Sequence, residues 1–141
     1  MELLESIDIL PTELKNQILE YLPLRYAVFL NKQTYFMYHK LIKKWIPTTS
    51  YDNYIRFIVR NDYNVCFQQL INDNYKSWIK LKKYKYNNII YSSYCNFLNC
   101  YCIENQSNKC RAIVLHFLSE NQGISKNQHK NNSYIHIRWK R

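Results

Sequence analysis

Apolar residues first fall into a helical rhythm at Leu10 to Arg25, which reads LPTELKNQILEYLPLR. Leu14, Ile18, Tyr21 and Leu22 are spaced so that a helix carries them on one stripe. Pro11 suits the first turn, where its missing N–H has no partner to lose. Thr12 and Glu13 bring a hydroxyl and a carboxylate to the positive end of the helix dipole. Leu22 precedes Pro23 and is pushed out of the α region, so the pattern predicts a helix over 12–22. A brief second helix is expected from Pro23 to Leu30. A third is expected from Lys32 to Trp45, with Tyr35, Tyr38, Leu41, Ile42 and Trp45 at threes and fours. Pro47-Thr48-Thr49-Ser50 then breaks the pattern and divides head from body.

The body continues in helical periods. Tyr54, Ile55 and Ile58 are in register over 51–60, and Asn61-Asp62 can cap a helix through Val65, Phe67, Leu70 and Ile71. Asn72-Asp73-Asn74 reads as its end. Two further helices are expected over 76–83 (Trp78, Ile79, Leu81) and 87–103 (Ile90, Tyr94, Phe97, Leu98, Tyr101). After a polar turn at 104–108, a last helix carries Cys110, Ile113, Val114, Phe117 and Leu118. Residues 1–9 form a lead-in with one helical turn around Leu3, Leu4 and Ile7. The stretch 120–133 is polar, and Tyr134 to Trp139 alternates like a strand without an obvious partner. The expected fold is all-α: three helices in a segment 8–46, a helical body 51–119 of about four to five helices, and a polar basic tail 120–141. The paired helices resemble a helical-repeat stack in outline, but no internal repeat at fixed period is visible.

Composition agrees with helices. The 141 residues are 47% hydrophobic and include 14 Tyr, enough for a folded core, while one Gly and three Pro supply little of the turn chemistry a β-sandwich needs. No apolar run approaches the roughly 20 residues of a membrane span, and the first residues lack a basic-then-apolar order. A cytoplasmic protein without a membrane partner is expected, with the nucleus as an alternative. Charge is segregated. Glu2, Glu5, Asp8, Glu13 and Glu20 stand against Lys15 alone in the first 22 positions, whereas the remainder holds 19 basic and 5 acidic residues. An acidic head on a basic body implies two surfaces with different partners.

Candidate chemistry is sparse. Cys66, Cys95, Cys100, Cys102 and Cys110 contain no C-x-x-C pair, so they read as small buried hydrophobes rather than metal ligands. His39, His116, His129 and His136 have no carboxylate or cysteine at catalytic spacing. A Gly-rich phosphate loop, H-E-x-x-H and G-x-S-x-G are all absent, so no enzyme, no cofactor and no metal site is expected. The run Lys76-Ser77-Trp78-Ile79-Lys80-Leu81-Lys82-Lys83-Tyr84-Lys85-Tyr86 interleaves cations and rings. Lys76, Lys80, Lys82, Lys83 and Lys85 can meet phosphates while Trp78 stacks on bases, or the same run is a solvated basic face over buried Trp78 and Leu81. Tyr51, Tyr54, Tyr63, Tyr75, Trp78, Tyr84 and Tyr86 are numerous enough to suggest an exposed aromatic platform on the body.

The order L-P-x-E-L, three residues, I-L, one residue, Y-L-P-L-R resembles the opening of an F-box, a helical adaptor of roughly forty residues found in ubiquitin-ligase subunits. The likeness continues through Leu30-Asn31-Lys32-Gln33-Thr34-Tyr35 and His39-Lys40-Leu41-Ile42. Lys32 and Leu41 fit; Asn31 stands where cysteine is common, Tyr35 near the usual tryptophan, and the middle segment is about two residues short. The resemblance covers about 8–46. It implies that this segment binds a Skp-family adaptor of a cullin-RING ubiquitin ligase through Leu10, Pro11, Glu13, Leu14, Ile18, Leu22 and Leu24. The body then holds a target protein. Alternatively, the chain is a basic helical nucleic-acid-binding or virion-associated protein without a ligase role. The Asn- and Ile-rich style is similar to that of small F-box-like proteins of large DNA viruses, which implies a host-cell setting.

Overall fold

A computed structural model describes residues 9–122, with the backbone alone at 122, and the backbone of 135–136. The expected lead-in turn and most of the tail lie outside the described residues. Contacts divide the chain into two units, 1–51 and 52–141. The first begins with helix α1 (Thr12–Tyr21), whose Pro11 carbonyl accepts from Lys15 N–H and whose Leu22 is extended ahead of Pro23. Helices α2 (Leu24–Ala27) and α3 (Lys32–Tyr38) follow, then a 3-10 turn (His39–Leu41) and α4 (Ile42–Trp45). The third expected helix is thus interrupted at its middle. Asn31 opens α3 with a reciprocal box: its side chain accepts from Thr34 N–H while Thr34 Oγ1 accepts from Asn31 N–H. Among the described residues of this unit, Ala27, Val28, Tyr35 and Ile42 are buried.

Helix α5 (Thr48–Arg60) starts directly after Pro47, so the expected breaker is a helix start, and the division between units falls inside this helix. Helix α6 (Asn64–Trp78) runs through Asn72-Asp73-Asn74 without ending. Asn74 is buried there and donates its amide to the Leu70 carbonyl four residues back, and Gln68 donates to Asn72, so the helix itself satisfies these polar side chains. A hairpin replaces the end of the helix expected over 76–83 and the start of the one expected over 87–103, which is helical from Tyr94 on: β1 (Lys82–Tyr86) pairs antiparallel with β2 (Ile89–Ser93). Its tip, Asn87-Asn88, has φ of 46° and 62°, the left-handed pair a tight two-residue hairpin requires and asparagine tolerates. The short strand β3 (Ile135–His136) pairs with Ile89 and Ile90, giving the sheet order β1-β2-β3 and supplying the alternating tail segment with a partner. Helices α7 (Tyr94–Glu104) and α8 (Asn108–Gln122) complete the unit. The chain is therefore mostly helical, with a small antiparallel sheet.

The two helical pairs of the body turn in the same way. At the α5–α6 corner Asp62 (φ 53°) donates to Val59 O, Tyr63 to Ile58 O and Asn64 to Asp62 O. At the α7–α8 corner Gln106 (φ 56°) donates to Ile103 O, Ser107 to Cys102 O and Asn108 to Gln106 O. Asn61 and Asn105 even donate their side-chain amides to equivalent carbonyls, of Phe57 and Tyr101. The repeat lies in the backbone geometry of the corners and in their flanking asparagines (Asn61 and Asn64 against Asn105 and Asn108), while the two residues between them differ.

Asp62 latches the corners together. Its carboxylate accepts from the backbone N–H of Cys110 (2.8 Å) and of Lys109 (3.2 Å), the first-turn donors of α8. Ser107, placed where it could cap that helix itself, instead donates its buried hydroxyl to the Val59 carbonyl near the end of α5. Burial pushes the Asp62 carboxyl up, but the hydrogen bonds from Cys110 and Lys109 outweigh it, leaving the pKa below the ordinary 3.8. A lowered folded pKa stabilises the fold above the unfolded value, and the gain is lost as pH falls through the folded one. Asp62→Ala removes the cap and replaces a residue that tolerates the left-handed region through its short polar side chain with one that does so less well, at an expected cost of roughly 2 kcal/mol in urea unfolding. Asp62→Asn should flatten the fall in melting temperature as the pH drops below the ordinary carboxylate value.

Candidate docking surface and basic hairpin

α1 is a helix with an apolar stripe but no buried residue. Lys15, Ile18, Leu19 and Leu22 are half-buried, at the i, i+3, i+4, i+7 spacing of one face. Leu14 and Tyr21, seven residues apart on the edge of that face, are open to solvent at 46% and 87% exposure. The sequence-expected partner residues therefore separate. Pro11, Glu13, Leu14 and Leu24 are exposed, while Leu10, Ile18 and Leu22 are half-buried. The pattern of α1 alone did not single out the other exposed apolar side chains of this unit: Ile9, Tyr26, Phe29, Phe36 and Met37, the last 62% exposed. Arg25 lies over the Tyr26 ring at 5.0 Å and Phe29 meets the buried Tyr35 at 6.2 Å, so part of this surface is ordered by its neighbours. Exposed rings and aliphatic chains are thus concentrated in this small unit.

The body uses its aromatics in the opposite way. Phe97 sits among Tyr84, Tyr86, Tyr91, Tyr94 and Tyr101, with ring centroids 4.8 to 5.7 Å away. Trp78 is only 5% exposed and packs on Tyr94 at 5.1 Å. Tyr51, Tyr54, Tyr63, Tyr75, Tyr84 and Tyr86 are all half-buried, so these residues do not form the expected open aromatic platform, and Trp78 is a core residue rather than a stacking surface. Burial raises the Tyr84 and Tyr101 phenols above their ordinary value, with Asp52 adding to Tyr84. Lys76, Lys80, Lys82, Lys83 and Lys85 are all exposed. The structure adds Arg56, over the Tyr86 ring at 4.9 Å, to the hairpin's cations. Lys83 has φ of 53°, a left-handed backbone within a strand.

Among the described residues no group of three or more His, Cys, Asp and Glu could hold a metal ion, and no helix is long and apolar enough to cross a membrane. His116 meets Glu120 at 3.2 Å on the exposed side of α8, and His39 stacks on Tyr35 at 5.7 Å. All five cysteines are free thiols, and all but half-buried Cys66 are buried. Burial raises Cys95 and Cys100 to about 11 and Cys102 to about 12, and it pushes Cys110 up as well, aided by its contact with Asp62. These groups stay protonated and poorly nucleophilic near neutral pH. With a thiol-specific reagent at pH 7.5, Cys66 should react first and the other four only on addition of denaturant. Fast labelling of Cys102 or Cys110 in the folded protein would contradict this packing.

No protein-family model, curated protein or solved structure matches this chain.

Proposed function

We propose that the head is a docking module of the F-box kind. In this reading it joins a Skp-family adaptor of a cullin-RING ubiquitin ligase, and the body carries the target-binding function. The supporting observation is α1, an apolar-striped helix that buries no residue, in a unit whose exposed side chains include Leu14, Tyr21, Leu24, Tyr26, Phe36 and Met37. A helix of 10 residues gains little from propensity alone, so an uncovered apolar edge is best explained by a partner that covers it. The ordered residues Leu10, Pro11, Glu13 and Leu14 at its start give that partner a class through the F-box resemblance. Asn31, in place of the usual cysteine, has a local role of its own as the cap of α3.

The test is capture of a purified Skp adaptor by the full chain. Leu14→Asp and Tyr21→Asp, made singly, place a carboxylate in the contact without disturbing a buried side chain. Each should leave the circular dichroism and melting temperature unchanged. Burying an unpaired carboxylate costs several kcal/mol, so affinity should fall by about a hundredfold or more. Burial of apolar area is not screened, so capture by the unaltered chain should persist at high salt. Absence of capture by the unaltered chain, or full capture by both variants, contradicts the proposal.

A further inference from the structure

We propose that the lysine-bearing hairpin β1–β2 of the body binds the phosphate backbone of duplex nucleic acid. This inference is independent of the docking role given to the head. Lys80, Lys82, Lys83 and Lys85 are exposed within six consecutive positions, and no acidic residue occurs between Asp73 and Glu104. Asp52 acts electrostatically on Tyr84, and Arg56 offsets it there. The local field is therefore positive and suits a polyanion.

Three observations separate a phosphate surface from a protein-binding one. Lysine is depleted in the cores of protein interfaces, which rely on aromatic anchors. Here the anchors are committed elsewhere: Tyr84 and Tyr86 pack on Phe97, and Trp78 is buried on Tyr94. The same packing removes the rings that single-stranded binding uses for base stacking, which leaves backbone contact without base readout. Finally, Lys83, the second residue of β1, is held at φ 53°, a conformation that glycine adopts freely and a Cβ-bearing residue adopts at a cost. A lysine kept at a position that favours glycine is explained by what its ammonium group contacts.

Random-sequence duplex DNA and poly-glutamate serve as probes for the full chain by fluorescence anisotropy. Three to four phosphate contacts give a salt slope of about −3 to −4, so duplex affinity should fall roughly a hundredfold between 50 and 200 mM salt. Changing Lys80, Lys82, Lys83 and Lys85 together to Glu should abolish duplex binding. Lys83→Gly is the sharper variant, because it relieves the backbone while removing one charge. It should reduce the salt slope by about 1 and leave the melting temperature equal or higher. Leu14→Asp in the head should change neither value. The proposal is overturned if the duplex does not bind at 50 mM salt, or if the quadruple variant binds it undiminished. It is also overturned if poly-glutamate binds as tightly as the duplex, which would point to an acidic protein partner.

Discussion

Burial in the head rests on Ala27, Val28, Tyr35 and Ile42 among the described residues, and so small a core cannot cover an amphipathic helix. α1 is held through a half-buried arc of Ile18, Leu19 and Leu22, while Leu14 and Tyr21 at the edge of that arc remain in water. A short helix of this kind gains most of its stability from packing. Everything proposed for the head follows from this shortage of apolar cover. Among the described residues of the head the edge of α1 stays wet, and in the proposed reading another protein supplies the missing surface.

The body shows what the same composition does when a core is available. Phe97 gathers tyrosines from both hairpin strands and from its own helix, so the described tyrosines go largely to packing in one unit and partly to exposure in the other. Tilted and edge-on ring pairs at these separations add to simple area burial. The helical corners are fixed differently, by hydrogen bonds rather than by shape. Asp62 and Ser107 exchange the jobs of neighbouring caps, so neither corner is complete without the other. The body's lysines are what remains outside once the rings have turned inward.

Much of this was legible in the sequence, for identifiable reasons. The limits of α1 could be read because Pro11 and Pro23 act locally, whereas Pro47, read as a breaker, opens a helix instead. The hairpin was missed although its signal was present. Lys83-Tyr84-Lys85-Tyr86 alternates with period two, and Asn87-Asn88 followed by Ile89-Ile90 is turn chemistry before β-branched residues. The helical spacing of Trp78 and Leu81 outweighed it. Asn72-Asp73-Asn74 misled in the other direction, since its amides bond within the helix, a choice set by burial and not by composition. Of the two readings of the lysine run, the one with Trp78 stacking on bases fails, because Trp78 is buried on Tyr94 from a helix that follows the hairpin. The one with a basic face over buried Trp78 and Leu81 holds for Trp78 but not for Leu81, which is exposed. The Asp62 latch was beyond reach, because its partners lie more than forty positions along the chain.

The central claim is that α1 and the exposed residues after it are a surface that a partner covers. Amide hydrogen exchange of the full chain, with and without a purified Skp adaptor, addresses this by position. The account predicts slowed exchange over 12–29 when the adaptor is present and unchanged exchange over 82–104. Protection confined to the hairpin and α7, with 12–29 unaffected, would contradict it.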